Sequence, residues 1–330
     1  MKKLLFLLLL IFISSCKQET PKEFSLDGKT QDMKDGTVLY LDADDSILDS
    51  TEIQNNSFSF FTALPASPTQ VILRTKDFSQ YRFVWLEDTT MTFDASNSDF
   101  RNAFVTGSYE ENLSQDLNDR TDSLPRAKQL ELSREFVKNH PNSIHSAYIL
   151  SVYSSTWGKE KTMELFENFS EENKKNQYGE KIANFIELNQ NPKIGDQFVD
   201  FEMQDTTGEM RKLSGVENKV VLLEFWAAWC GPCREENPNL VKTYKDYHPK
   251  GFEIFAVSLD SDKDYWLKAI RDDGLVWNHV SDLKGNQNKA ALIYGLNGIP
   301  DNFLISEDGE IIGRNLRGKD LDKKLQEILP

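Results

Sequence analysis

The sequence predicts an α/β domain at the C-terminus, preceded by a small all-β domain and a helical connector. Three observations carry this reading. From Lys193 onward strand-like and helix-like stretches alternate, the pattern of a sheet covered by helices. From Phe24 to about Val105 the text is a series of short β-rich runs separated by turn residues. Between Tyr109 and Gln190 the apolar residues recur at helical spacing.

The first 16 residues read as an export signal. Lys2 and Lys3 give a basic start, Leu4 to Ile13 is unbroken apolar text, and small Ser14 and Ser15 precede Cys16. That stretch is too short to span a bilayer as a helix. Ile13-Ser14-Ser15-Cys16 resembles the bacterial lipobox, which implies cleavage before Cys16 and a lipid on the new N-terminal cysteine. An ordinary signal peptide cut nearby is the competing reading. Each buried methylene of an acyl chain contributes about 0.8 kcal/mol, so two or three chains on Cys16 would hold the protein on a membrane. Residues 17–23, polar with Pro21, then serve as a tether.

Residues 24–106 form the β-rich part. Its strand-like runs are Thr37 to Leu41, Phe58 to Phe61, Val71 to Arg74, Tyr81 to Leu86 and Met91 to Phe93, divided by turns such as Asp35-Gly36 and Asn55-Asn56. A small sandwich or barrel is expected. Residues 107–192 form the connector of three or four helices, punctuated by Pro125 and Pro141 and closed by Asn189-Gln190-Asn191-Pro192 as a linker. In residues 193–330, Lys219 to Trp226 and Phe252 to Leu259 are buried strands, Cys233 to Tyr247 is an amphipathic helix, and another helix lies around Tyr265 to Arg271. Asp308-Gly309 marks a hairpin between Asn302 to Ile305 and Ile311 to Arg314, and Asp320 is expected to cap a last helix.

The 330 residues carry 53 acidic against 38 basic side chains, a formal net charge of −15 spread along the chain. Such a surface repels phosphate backbones, which argues against nucleic acid as a partner. An exported protein lives where thiols oxidise, yet only three cysteines occur. With Cys16 assigned to the lipid, Cys230 and Cys233 remain, without companions for a stapling framework. Their pairing is read as chemical.

The strand ending in Phe225-Trp226 runs through Ala227-Ala228-Trp229 into a helix whose first turn contains both thiols. Free backbone N–H groups and the helix dipole there favour a negative sulfur at Cys230, and the thiolate is the nucleophile. A spacing of one helical turn puts Cys233 within disulfide reach of Cys230. Cys230 is therefore expected to attack and Cys233 to resolve the mixed disulfide. Glu224, six residues before Cys230 on the strand, is the expected proton acceptor for Cys233, directly or through water. Trp229 could wall a substrate chain, while for Trp226 simple packing is an equal reading.

Residues 193–330 resemble a thioredoxin-like domain of the TlpA/ResA type, tethered extracytoplasmic disulfide reductases. The residues that carry the resemblance are Ile194-Gly195-Asp196 with Phe201, Phe225-Trp226, Trp229-Cys230-Gly231-Pro232-Cys233-Arg234, Glu236 and Pro238, and Gly298-Ile299-Pro300 with Phe303-Leu304-Ile305. The resemblance implies a thioredoxin fold, a redox-active Cys230–Cys233 disulfide with no further cofactor, and a cis bond between Ile299 and Pro300 that presents backbone to the substrate. It sets Glu224 at the place of thioredoxin's buried acidic residue and Glu236 at that of a glutamate beside the active site. Gly231-Pro232 is the dipeptide of thioredoxin itself, which leans toward a reducing poise. Asp301-Asn302 replaces the usual threonine pair after the proline, which bears on substrate preference. In pattern and position residues 24–106 resemble the β-rich domain, of the DUF4369 kind, found on thioredoxin-like lipoproteins of Bacteroidetes.

The implied function is reduction of disulfides in exported proteins, apocytochrome c among the clients, by a lipid-anchored protein of the cell envelope that faces the periplasm and is re-reduced by a membrane electron donor. Four further readings stay open. A zinc site would need two more ligands, but no cysteine is spare and His140, His145, His248 and His279 show no clustered pattern. A structural disulfide, a peroxidase of the peroxiredoxin type, and a binding lipoprotein with a secondary redox role would each also accommodate the two cysteines. His248 and His279 are read as surface or packing residues.

Overall fold

Alternation of buried and exposed residues along short strands builds the N-terminal part of the chain. The computed structural model describes residues 24–31, 33–43, 46–216 and 218–329. The stretches read as an export signal and a tether, with Cys16 between them, lie outside the described residues. The chain forms two units that part between Leu132 and Ser133.

In the first unit, β1 (Ser25–Lys29), β2 (Val38–Ala43), β3 (Ser46–Glu52), β4 (Ser57–Phe61), β5 (Thr69–Thr75), β6 (Tyr81–Leu86), β7 (Thr90–Asp94) and β8 (Phe104–Thr106) make two four-stranded sheets. Their orders are β4-β1-β7-β8 and β3-β2-β5-β6. Every second residue of β2, β4, β5 and β7 points into one apolar core: Leu39 and Leu41, Phe58 and Phe60, Val71 and Leu73, Met91 and Phe93. Both sheets contribute to that core, so of the two expected shapes this is the sandwich. The pairing of β1 with β7 is parallel, whereas every other pairing in the two sheets is antiparallel. Three strands escape the reading of the sequence. β1 holds Asp27-Gly28, β3 exposes polar residues on both faces, and β8 has three residues.

The helical segment contains six helices, more than the three or four expected: α1 (Tyr109–Thr121), α2 (Arg126–Asn139), α3 (Ile144–Trp157), α4 (Lys159–Glu167), α5 (Glu171–Lys175) and α6 (Gln177–Leu188). The surplus comes from local stops. Gly158 separates α3 from α4, and the Asn176 side chain caps α6 by accepting from Tyr178 and Gly179. Ser108 caps α1 by accepting from Glu111 N–H at 2.9 Å. In the first unit Glu111 accepts from the Trp85 N–H at 2.9 Å and pairs with Arg82 at 2.8 Å, which pins α1 to β6. In the second unit α3 packs on α4 and α6.

The expected linker is tied down. Asn189 donates its side-chain amide to Leu292 O at 2.8 Å, and the Gln190 and Asn191 N–H groups donate to Ile293 O at 3.0 and 2.9 Å.

The remainder alternates strand and helix: β9 (Glu202–Gln204), β10 (Met210–Lys212), β11 (Val220–Trp226), α7 (Gly231–Tyr247), β12 (Phe252–Ser258), α8 (Lys263–Asp272), β13 (Asn278–Val280), α9 (Lys289–Tyr294), β14 (Asp301–Ser306), β15 (Ile311–Arg314) and α10 (Gly318–Ile328). The main sheet has the order β13-β12-β11-β14-β15. β11, β12 and β13 run parallel, β14 pairs antiparallel with β11, and β15 pairs antiparallel with β14. β11 and β12 are buried along their whole length, which is why they read as continuous apolar runs. Leu222, Leu223, Phe225, Ile254, Phe303 and Tyr294 share the core, each fully buried apolar side chain contributing about 1.5–3 kcal/mol. Gly309, at φ +83°, takes the left-handed position of the β14–β15 turn. Asp320 does not cap α10 as expected: the helix begins at Gly318 after Arg317, and Asp320 lies in its first turn, where its charge still faces the positive end of the dipole.

Candidate redox site

The site forms where the central strand β11 ends and α7 begins. Cys230 is the N-cap residue of α7, with extended backbone, and its sulfur accepts the Cys233 N–H at 3.2 Å. Gly231 and Pro232 are the first two helical positions, where proline's missing N–H would have had no partner. Cys230 and Cys233 are joined as a disulfide with Cα atoms 5.2 Å apart. Both sulfur residues are nearly buried, Cys233 at 1% exposure and Cys230 at 5%, while adjoining Trp229 is 54% exposed. Gly231 and Pro232 are exposed. A sulfur at this position receives helix N–H groups that favour its thiolate once the bond is reduced.

The turn leading to Cys230 is held by groups that no local pattern singles out. Asp260, just beyond β12, accepts the Ala228 N–H at 2.9 Å and the Ser258 hydroxyl at 2.7 Å. Arg234 donates to Ala228 O at 3.2 Å while its guanidinium pairs with Asp273, which also accepts from the Asn237 amide at 2.7 Å. Asp260 carried one readable signal: it follows a buried parallel strand adjacent to β11, at the strand ends where α/β sheets gather their functional residues.

Glu224 lies on β11 opposite Ala256 of β12 and Asn302 of β14, 5% exposed, with its Oε2 lacking a hydrogen-bond partner. Burial pushes its pKa up to about 8; the Asn302 amide and the Arg317 charge oppose this, and Asp301 and Glu236 add to it. The Asn302 amide itself donates to Leu316 O at 2.8 Å. Glu236, on α7, accepts the Gly318 N–H at 2.9 Å, joining the redox helix to the start of α10.

The Ile299–Pro300 bond is cis, and both residues are partly exposed. Arg317 donates to Pro300 O and, at 2.6 Å, to Asn315 Oδ1. Arg317 thus connects the proline loop electrostatically to Glu224, a link no local motif announced. Trp229 and Ile299 line one cleft. Of the expected site residues, only Cys16 falls outside the described residues.

The histidines take packing roles. His279 is buried between Trp226 and Trp277, with ring centroids 5.6 and 5.8 Å away, and burial pushes its pKa down to about 3. His248 stacks on Tyr244 at 4.6 Å and lies 3.6 Å from Glu253, a partner the sequence did not reveal. Among the described residues no cluster of three His, Cys, Asp or Glu side chains could hold a metal, and no helix is long and apolar enough to cross a membrane.

Residues 194–314 match the AhpC/TSA family and residues 24–113 the domain of unknown function DUF4369. Thiol-disulfide oxidoreductase ResA of Halalkalibacterium halodurans is 34% identical over 130 residues, 39% of this chain and 72% of that protein. The chain belongs to the ResA-type thiol-disulfide oxidoreductases. A second ResA, from Geobacillus thermodenitrificans, is 31% identical over 151 residues, 45% of this chain and 85% of the relative. A solved thiol-disulfide oxidoreductase from Bacteroides fragilis NCTC 9343 is 34% identical, covering 41% of this chain and all 100% of its own, with a TM-score of 0.39. The ResA-type domain thus sits behind a DUF4369 domain, as the β-rich pattern and the Trp-Cys-Gly-Pro-Cys turn led us to expect.

Proposed function

We propose that this thiol-disulfide oxidoreductase works in the cell envelope, where its reduced form reduces disulfides of exported proteins. The Cys230 thiolate attacks one sulfur of the client disulfide. That bond breaks, the second client sulfur leaves and takes a proton, and a mixed disulfide remains. Cys233 then gives up its proton and attacks Cys230 Sγ, which breaks the mixed disulfide, closes the Cys230–Cys233 bond and expels the first client sulfur as a thiolate that takes up a proton. Glu224 accepts the Cys233 proton, and the backbone at Ile299 and Pro300 aligns the client strand. Trp229, Gly231 and Pro232 form the rim, and Glu236 tunes the thiols. Two electrons pass from the protein dithiol to the client, and a membrane electron donor restores the dithiol. The observation that carries this reading is the position of Cys230 as N-cap of α7, its sulfur receiving the Cys233 N–H.

Residues 1–16 are read as a lipoprotein signal, 17–23 as the tether from lipidated Cys16, 24–106 as a client- or ligand-recruiting β domain, 107–192 as a connector and 193–330 as the redox domain. Apocytochrome c and misoxidised envelope proteins are the client classes that suit this chemistry.

Insulin reduction is expected to vanish in Cys230→Ala, and Cys233→Ala is expected to accumulate trapped mixed disulfides in cells. Full activity of Cys230→Ala would remove it as the nucleophile. Peroxide consumption matching the rate of disulfide reduction would favour a peroxidase instead. Loss of fatty-acid labelling in Cys16→Ala tests the anchor.

A further inference from the structure

At Trp229, the residue before Cys230, a cleft of about 670 Å³ runs between the helices α3 and α6 and the redox domain, a volume typical of sites that enclose a ligand. One wall comes from Tyr148 and Val152 of α3 and Lys181 of α6, the other from Leu296 and Ile299, and Trp229 stands on its edge. Val152, at 52% exposure, and Trp229 therefore present apolar surface to the same opening.

The charge of the cleft is opposite to that of the molecule. The chain has 53 acidic and 38 basic side chains, yet among the described residues no carboxylate lines the cleft, and its charged residues are Lys181 and Lys284. Neither lysine makes an ion pair among the described residues. The wall is fixed in place before any ligand arrives. The segment after α6 bonds to the end of α9 through Asn189 and Gln190, Lys159 reaches Asn189 O at 3.2 Å, and Thr156 donates to Asn297 Oδ1 at 3.3 Å. A preformed site loses less on binding to the ordering of its own groups.

We infer that this cleft seats an extended segment of the client polypeptide next to its disulfide, with an apolar or aromatic side chain against Trp229 and Val152 and a carboxylate between Lys181 and Lys284. The inference rests on the exchange chemistry proposed above and specifies its substrate as an acidic, apolar cystine-bearing segment. The helical wall supplies selection, and the sulfurs supply chemistry.

The test uses the reduced full-length protein and three substrates: a disulfide-bridged peptide with glutamate and phenylalanine beside the cystine, the same peptide with lysine replacing glutamate, and the small neutral bis(2-hydroxyethyl) disulfide as reference within each protein. The kcat/KM ratio of acidic to basic peptide is expected to be about tenfold, to fall in high salt, and to invert in the double variant Lys181→Glu, Lys284→Glu. Lys181→Gln with Lys284→Gln, which adds no charge, is expected to bring the ratio near one. Equal rates for both peptides in the natural protein, or an unaltered ratio in both double variants, with the small disulfide still turned over, overturn the cleft assignment alone. Failure to reduce all three disulfides overturns the exchange chemistry and this inference with it.

Discussion

Glu224 is a carboxyl without a full set of partners, buried on the strand that leads to the cysteines. With its pKa raised to about 8 by burial, it is largely protonated at neutral pH and becomes a proton acceptor as the pH passes that value. Insulin reduction measured across pH is therefore expected to show an ionisation near 8 that disappears in Glu224→Gln; identical profiles would remove Glu224 from the mechanism. The same shift has a sign in stability. The unfolded carboxyl loses its proton at its ordinary pKa, while the folded one keeps it up to about 8, so the protein loses stability as pH rises between those values. Urea unfolding is expected to show Glu224→Gln gaining on the natural protein between pH 5 and pH 8.5. The neighbouring turn depends on Asp260, and Asp260→Ala leaves the Ala228 N–H buried without an acceptor at a cost of about 1–3 kcal/mol, readable as a lower urea midpoint. The sequence made the cysteine pair, Glu224 and Pro300 legible because each stands in a local pattern. Asp260 and Arg317 were not, since their partners Ala228 and Pro300 lie 32 and 17 residues away and meet them only through sheet topology.

Elements were legible where one face is apolar and the other polar. β2, β4, β5 and β7 alternate cleanly, and β11 and β12 are unbroken apolar runs, so both classes could be read directly. β9, β10 and β13 have three residues each, too few for any period, and they exist because neighbouring strands offer them hydrogen bonds. α5, at five residues, is likewise held by its caps: Ser170 accepts from Asn173, and the Asn173 amide reaches Pro141 O and Ser143 O at 3.0 and 2.9 Å. At the start of the helical segment, α1 is anchored through a buried ion pair, and there burial pushes the Glu111 pKa up while the Trp85 N–H and Arg82 oppose it. Glu111→Ala removes the carboxylate that neutralises Arg82, which keeps its bond to Gln115, and the acceptor of the Trp85 N–H. A loss of about 3–5 kcal/mol in chemical denaturation is expected, and a loss below 1 kcal/mol would show that the pair does not anchor α1.

At the scale of the molecule, the described residues form two apolar cores, one drawn from residues 24–105 and the other from residues 201–329. Calorimetry is expected to resolve two transitions, with Leu73→Ala lowering one and Leu222→Ala the other, each by about 2–5 kcal/mol of stability. A single transition moved equally by both variants would mean that the cores melt as one. The tripartite text of β-rich, helical and alternating segments was visible in the sequence, because each has its own hydrophobic period. The attachment of Asn189 and Gln190 to α9 was not visible, since a polar run ending in proline has the composition of a free linker whether or not its amides find acceptors.

That attachment governs where the gene can be cut. A fragment begun at Lys193, the border suggested by motif alone, strips Leu292 O and Ile293 O of the three donors contributed by residues 189–191 and bares the apolar side of α9 that α6 covers. A recombinant redox domain that starts at Ser133 keeps these stitches, and with them the floor of the cleft at Trp229.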